Sequence, residues 1–195
     1  MSRIEPHSDI VSSAEQDQLF FQGDRIYRHN IGKFNYTTYD VRRSQDVINP
    51  RTDHCDIMLL SQSCDSLVAF PDSNDLLEHP FTYARVLGIY HANVVRKSTA
   101  IGPQTYNPER MEFLFVRWFK YLRPLSVRWA DLKLDSLGFL PVHSEMAFGF
   151  IDPADVLRGS HILPWFRGGK VHVDQQGISR IASDKHDWCQ YQVNR

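Results

Sequence analysis

Alternation of apolar and polar positions with a period of two dominates this chain. Phe81–Val95 places Ala84, Val86, Gly88, Tyr90, Ala92 and Val94 on one side, all small or apolar. Its other side is a wetter set that includes Tyr83, Arg85, His91 and Asn93. A dozen residues of such alternation predict a long half-buried strand. Gly88 in its middle predicts a bend or bulge, as at a barrel corner. Arg110–Tyr121 puts Phe113 and Phe115 on one face and Leu114, Val116 and Trp118 on the other. Apolar side chains on both faces predict a central strand, with Arg117 and Lys120 reaching solvent along their stems. Further strands are expected at Phe34–Arg43, Asp56–Leu60, Gly138–Val142, Ala147–Ile151, Ser160–Phe166 and Asp187–Val193. Trp129–Leu137 mixes alternating charge with leucine and stays ambiguous.

Helical signals are few. From Asp152 to Gly159 a capping Asp, a proline at the first position, an acidic first turn and a closing glycine describe one short helical turn. Ser12 or Ser13 is a candidate cap for another. Residues 1–32 show no sustained period and are expected to form a flexible N-terminal arm. The expected domain is 33–195, with an acidic surface loop rich in Ser, Asp and Pro at 61–79. Many short strands with turn signals between them predict a mainly β fold, a small antiparallel barrel or sandwich. Within it, Phe81–Val95 and Arg110–Tyr121 should be neighbours.

Composition sharpens this picture at two points. The chain has 195 residues, 42% apolar and 23% charged, which suits one globular domain rather than a disordered one. Its net charge is −1, so binding of nucleic acid by bulk charge is not the default. The charge is distributed in blocks. Residues 40–78 carry three basic and eight acidic side chains, net −5; residues 79–133 carry nine and three, net +6. The basic block is either a face for an acidic partner or an internal complement to the acidic blocks. No apolar stretch is long enough to span a bilayer as a helix, and the first residues lack the apolar core of a signal peptide. Cys55, Cys64 and Cys189 have no metal-type pairing, so free thiols in a reducing, intracellular compartment are expected.

Several strings point to a relationship. They are Tyr39–Thr52 (YDVRRSQDVINPRT), Phe81–Val94 (FTYARVLGIYHANV), Arg110–Phe119 (RMEFLFVRWF), Ala147–Gly159 (AFGFIDPADVLRG) and His161–Pro164 (HILP). Together they resemble the C-terminal region of basidiomycete proteins related to Plavaka-type transposases, over about residues 36–195. In that family the region follows a transposase core and continues past the equivalent of Trp188–Asn194. The resemblance therefore implies a truncated copy without transposase activity, and a nuclear setting. A looser resemblance is to bromo-adjacent-homology (BAH) domains, on Ala84–Ile89 and Val116–Phe119; it implies a fold rather than an activity.

The residues that carry chemistry are sparse. His54, Cys55 and Cys64 lack the spacing of a metal site, and no His-Glu-x-x-His motif, phosphate loop or nucleophile elbow occurs. Neighbours such as His54 and Cys55 point to opposite faces of a strand, which argues against a nucleophile–base pair. Asp152 and Asp155 are explained by capping. Two candidate surfaces remain. Tyr83, Tyr90, Trp118, Phe119, Phe148 and Trp165 are candidates for an aromatic groove or methyl-lysine cage, with core packing as the alternative. Arg85, Arg96, Lys97, Arg110, Arg117, Lys120, Arg123 and Arg128 are candidates for a basic face. The sequence thus points to a non-catalytic interaction module without cofactor or metal. Its expected partner is a histone or other chromatin protein, DNA or a transposase subunit, and not a membrane. The alternatives are a transposon remnant with no selected activity, and a hydrolase or nuclease.

Overall fold

A computed structural model describes residues 19–38, 40–61, 79–96, 108–122 and 135–194. The acidic loop at 61–79 and the candidate helix cap at Ser12 or Ser13 fall almost wholly outside these residues. The fold is mainly β, and every pairing among the described strands is antiparallel. The strands are β1 (Leu19–His29), β2 (Gly32–Thr37), β3 (Arg43–Ile48), β4 (Asp56–Leu60), β5 (Phe81–Arg96), β6 (Glu109–Tyr121), β7 (Ser136–Phe139), β8 (Phe148–Ile151), β9 (Val156–Gly159), β10 (His161–Pro164) and β11 (Tyr191–Asn194).

The main sheet runs β10-β11-β7-β6-β5-β4-β9, with β1 added to β5 and β8 added to β6. The strands at its two ends, β9 and β10, are successive in the chain, with Ser160 alone between them. The Ser160 amide donates to the Asp56 carbonyl at 2.8 Å. The sheet therefore folds back over itself at a corner and is sandwich-like, without closing as a hydrogen-bonded barrel. As the alternation requires, β5 and β6 lie side by side, paired from Ala84–Trp118 to Val94–Glu109. β6 is central: its far side takes β8 along Leu114–Arg117 and β7 along Phe119–Tyr121.

The regular alternation expected through β5 is interrupted. Val86 pairs with Val116 and Gly88 with Phe115, so Leu87 is an extra residue without a partner on β6. A bulge reverses which face the following side chains occupy. Ala84, Val86 and then Ile89 share one face with Leu114 and Val116, packed with Ile57, Leu59, Phe34 and Ile48 as a first core. Gly88, Tyr90, Ala92 and Val94 pass to the other face, which also carries Tyr83 and Phe119. There Leu137, Ile162, Tyr191 and Val193, from the part of the sheet that folds over, complete a second core.

The N-terminal expectation needs correction. Leu19–His29 is not part of an arm but a strand on the outer half of β5. Its pairing splits into Leu19–Phe21 and Ile26–His29, because Gly23 and Asp24 adopt left-handed conformations at φ 68° and 50°. Glycine tolerates that region without strain; aspartate does so through its short polar side chain. Phe34–Arg43 is likewise not one strand. A turn from Thr38 divides β2 from β3, and the hairpin packs on β9 through Asp46, whose carboxylate accepts the Gly159 amide at 2.8 Å. The helical turn at Asp152 is present as a 3-10 turn over Pro153–Asp155, capped by Asp152 on the Ala154 amide at 2.8 Å. Gly159 does not end it, because Val156–Gly159 continues as β9.

A Cβ on Gly88 would meet the ring of Tyr90, which is itself stacked on Phe113. Gly88→Ala is therefore expected to cost ~1–2 kcal/mol through overpacking, measured as a lower midpoint of urea unfolding.

Candidate functional site

Two arginines of the basic block, Arg85 half-buried and Arg117 buried, meet carboxylates from elsewhere in the chain. Arg85 binds Asp56 in a two-pronged arrangement, Nε to Oδ1 at 2.7 Å and Nη2 to Oδ2 at 2.9 Å. Asp56 is only 1% exposed. Burial lifts its carboxyl above the ordinary value, against the pull of Arg85. Burial likewise opposes the Arg85 charge, but Asp56 overrides it and holds the guanidinium firmly protonated. Arg117, 2% exposed, binds Asp187 through Nη2 at 2.7 Å. Both guanidinium groups flank the Phe139 ring, at 5.0 Å for Arg85 and 4.0 Å for Arg117. The Arg117 Nε and Nη1 atoms have no hydrogen-bond partner, and the guanidinium carbon lies 4.0 Å from the Phe139 ring centroid.

These positions correct the expected basic face. Arg85 and Arg117 are internal, and Arg110 is paired with Glu112 at 2.8 Å. Lys120 is half-buried on β6. Arg96 ends β5, and Lys97, Arg123 and Arg128 lie outside the described residues.

The expected aromatic cage is not assembled either. Tyr83 and Phe119 are buried in the second core, and Trp118 packs against the first. Trp165 stands apart, at the start of the 3-10 turn Phe166–Gly168. Only Tyr90, with Phe148, belongs to a different arrangement that the structure does build. Along the outer half of β5, β6 and β8 run the rings of Tyr90, Phe113, Phe150, Phe115 and Phe148, stacked, edge-on, tilted and stacked in turn. Successive ring centroids are 5.6, 5.7, 5.2 and 5.8 Å apart, the spacing of favourable aromatic pairs. Ile26 and Phe21 of β1 and Met111 of β6 border the row and are exposed. None of these side chains belongs to either core, and Phe150 is 68% exposed.

The reason is geometric. The second core and this aromatic strip occupy one face of the same sheet. Beyond the folded-over strands β7, β11 and β10, no described element covers that face. The Arg85–Asp56 and Arg117–Asp187 pairs stand where the covered half gives way to the open half. Contiguous exposed apolar surface of this kind marks binding sites in soluble domains. The two-sided apolar pattern of β6 was legible in sequence as centrality. Its second meaning, an uncovered row of rings, depends on β8 arriving alongside.

Other groupings of reactive side chains have local explanations. Cys55 is buried, and its thiol is pushed up to about 12 by burial first and by Asp56 next. That keeps it protonated, the opposite of a nucleophile. Asp184 is buried within the loop after β10 and accepts the Ile178 and Ser179 amides at 2.7 and 2.8 Å. Burial raises its carboxyl, but these bonds and His172 outweigh that and hold it below the ordinary range. His79 joins Asp135 at 3.2 Å through Nε2 and Tyr121 through Nδ1, while the Tyr121 hydroxyl donates to the Phe81 carbonyl at 2.9 Å. The Phe81 amide donates to the same Nδ1 at 3.2 Å. This carboxylate–imidazole–phenol set ties the start of β5 to the end of β6 and the approach to β7. Among the described residues no three His, Cys, Asp or Glu side chains group as a metal site. No family model, curated protein or solved structure matches the chain.

Two contrasts test this division of roles. Asp187→Ala leaves the buried Arg117 charge unpaired and is expected to cost ~3–5 kcal/mol in urea unfolding. Phe119→Ala should cost a similar ~3–5 kcal/mol, whereas Phe150→Ser, on the open half of the same face, should stay within ~1 kcal/mol of the parent. A loss for Phe150→Ser as large as that for Phe119→Ala would show the strip to be core.

Proposed function

We propose that this domain is a non-catalytic interaction module that holds another protein against the strip Tyr90–Phe113–Phe150–Phe115–Phe148. The observation that carries the reading is a row of rings outside both cores, four of them half-buried and Phe150 exposed, bordered by the exposed Phe21, Ile26 and Met111. Aromatic side chains supply large, rigid contact area, and a few such anchors dominate the energy of protein interfaces. A protein partner is favoured over DNA because Arg85, Arg110 and Arg117 are already engaged by carboxylates within the domain. Phosphate contacts need cations that are free to displace counterions. The sequence resemblance to transposase-related proteins supports a transposase subunit or a chromatin protein as the class of partner to test first, and with it a nuclear setting.

The test is a binding titration of the full chain against purified transposase cores, histone peptides and duplex DNA. Phe150→Ser combined with Phe113→Ser should weaken capture of the protein partner at least ~10-fold. Val173→Ser, which removes an apolar side chain 88% exposed elsewhere, should leave capture unchanged. Binding to DNA that falls steeply with salt and is indifferent to the phenylalanine changes would overturn the reading, as would no binding to any of these probes.

A further inference from the structure

β1 is attached to the sheet by little. Its pairing with β5 is broken into a three-residue and a four-residue run by the left-handed Gly23 and Asp24. Every side chain along it is exposed except that of His29, which is half-buried. A strand held by two short ladders, with no core behind it, opens at a small cost in free energy. Individual side-chain contacts therefore weigh heavily in whether it stays docked.

The most specific of these contacts is an imidazole pair. His29 Nε2 lies 2.6 Å from His91 Nδ1, with ring centroids 4.8 Å apart. Tyr27, directly opposite His91 in the ladder, stacks on the same ring at 4.7 Å and 10°. The charged groups facing this cluster come from β6. Glu112 is paired opposite His91, and Arg110, two residues before it, holds the Glu112 carboxylate. The carboxylate that would otherwise favour a charged imidazole is thus already committed to a guanidinium. The 2.6 Å separation brings the two ring nitrogens into hydrogen-bond contact.

We propose that the His29–His91 pair is a proton-operated latch that docks β1 at neutral pH and releases it in acid. One ring nitrogen must donate and the other accept. The bond survives while at least one of the two rings is neutral. When both are protonated, two donors and two positive charges face each other, and the contact becomes repulsive. Burial first, then Arg110 and His29, hold His91 below its ordinary 6.5, with Glu112 opposing. The sign follows. A histidine kept neutral in the docked state contributes stability above its undocked value, and that contribution is lost as pH falls through 6.5 towards the lowered value. β1 also carries Phe21 and Ile26, the border of the aromatic strip. A loss of docking in acid would follow from release, and that consequence alone rests on the proposed function.

Hydrogen exchange of the full chain, corrected for intrinsic rates, tests the latch without any partner. Between pH 7.5 and 5, protection of the β1 amides should fall severalfold, in the direction the sign requires. The β4 and inner β5 amides should not change. In His29→Gln an amide that does not titrate replaces the ring, and the fall should shrink to ~2-fold or less. His91→Gln tests the bond from the other side should the first variant fold poorly. An undiminished fall in both variants, no fall in the parent, or an equal fall across β4 and β5 would each overturn the proposal.

Discussion

Leu87 is one residue more on β5 than β6 can pair, and its insertion decides which side chains meet the interior. Before it, Ala84 and Val86 face the first core while Tyr83 and Arg85 face the second. After it, Ile89 takes over the first core, and Tyr90, Ala92 and Val94 cross to the opposite face. Without the bulge, the even-numbered residues would continue into the first core and the strip would lose Tyr90. Because the period of a strand is two, one inserted residue reassigns every position beyond it.

The face so created is finished unequally. Over its inner half the sheet folds back through β7, β11 and β10 and buries Tyr83, Phe119, Leu137, Ile162, Tyr191 and Val193. Its outer half stays open. Arg85 and Arg117 stand between the two, each neutralised by a carboxylate and each packed on Phe139. A guanidinium tolerates this border better than an ammonium would. Its plane stacks on an aromatic ring while its edge meets a carboxylate. Pairing of this kind is costly to break and gives little net stability, so its value lies in fixing where the fold-over ends.

Electrostatics and exposure together give the molecule its character. A segment of net +6 suggests a cationic surface. Yet Arg85, Arg117 and Arg110 meet Asp56 from the acidic segment, Asp187 from the C-terminal one and Glu112 from their own. What the outer half of the sheet offers is aromatic and aliphatic instead: a row of five rings, four half-buried and one exposed, bordered by a strand, β1, that is itself weakly held. An apolar row beside a detachable edge strand permits regulation through the strand, and the imidazole pair places a titrating group at that attachment.

Much of this fold was legible in the chain alone. Period-two alternation located β5, and apolar runs located β4 and β6, each to within a residue or so; the pairing of β5 with β6 followed from their shared apolar faces. Gly88 marked the irregularity, and Asp152–Pro153 marked the capped turn, because these signals are local: a strand's alternation, a glycine and a cap act within a few residues. β1 was missed because its alternation is broken at Gly23–Asp24 and its residues are exposed on both sides, leaving no one-sided pattern to read. The roles of Arg85 and Arg117, the burial of Tyr83 and Phe119, and the exposure of Phe150 were set by tertiary structure. A charge or a ring is internal or external according to which distant strand arrives beside it. Here β7, β8, β10 and β11 come from residues beyond 135, and no local pattern specifies how far over the sheet they reach.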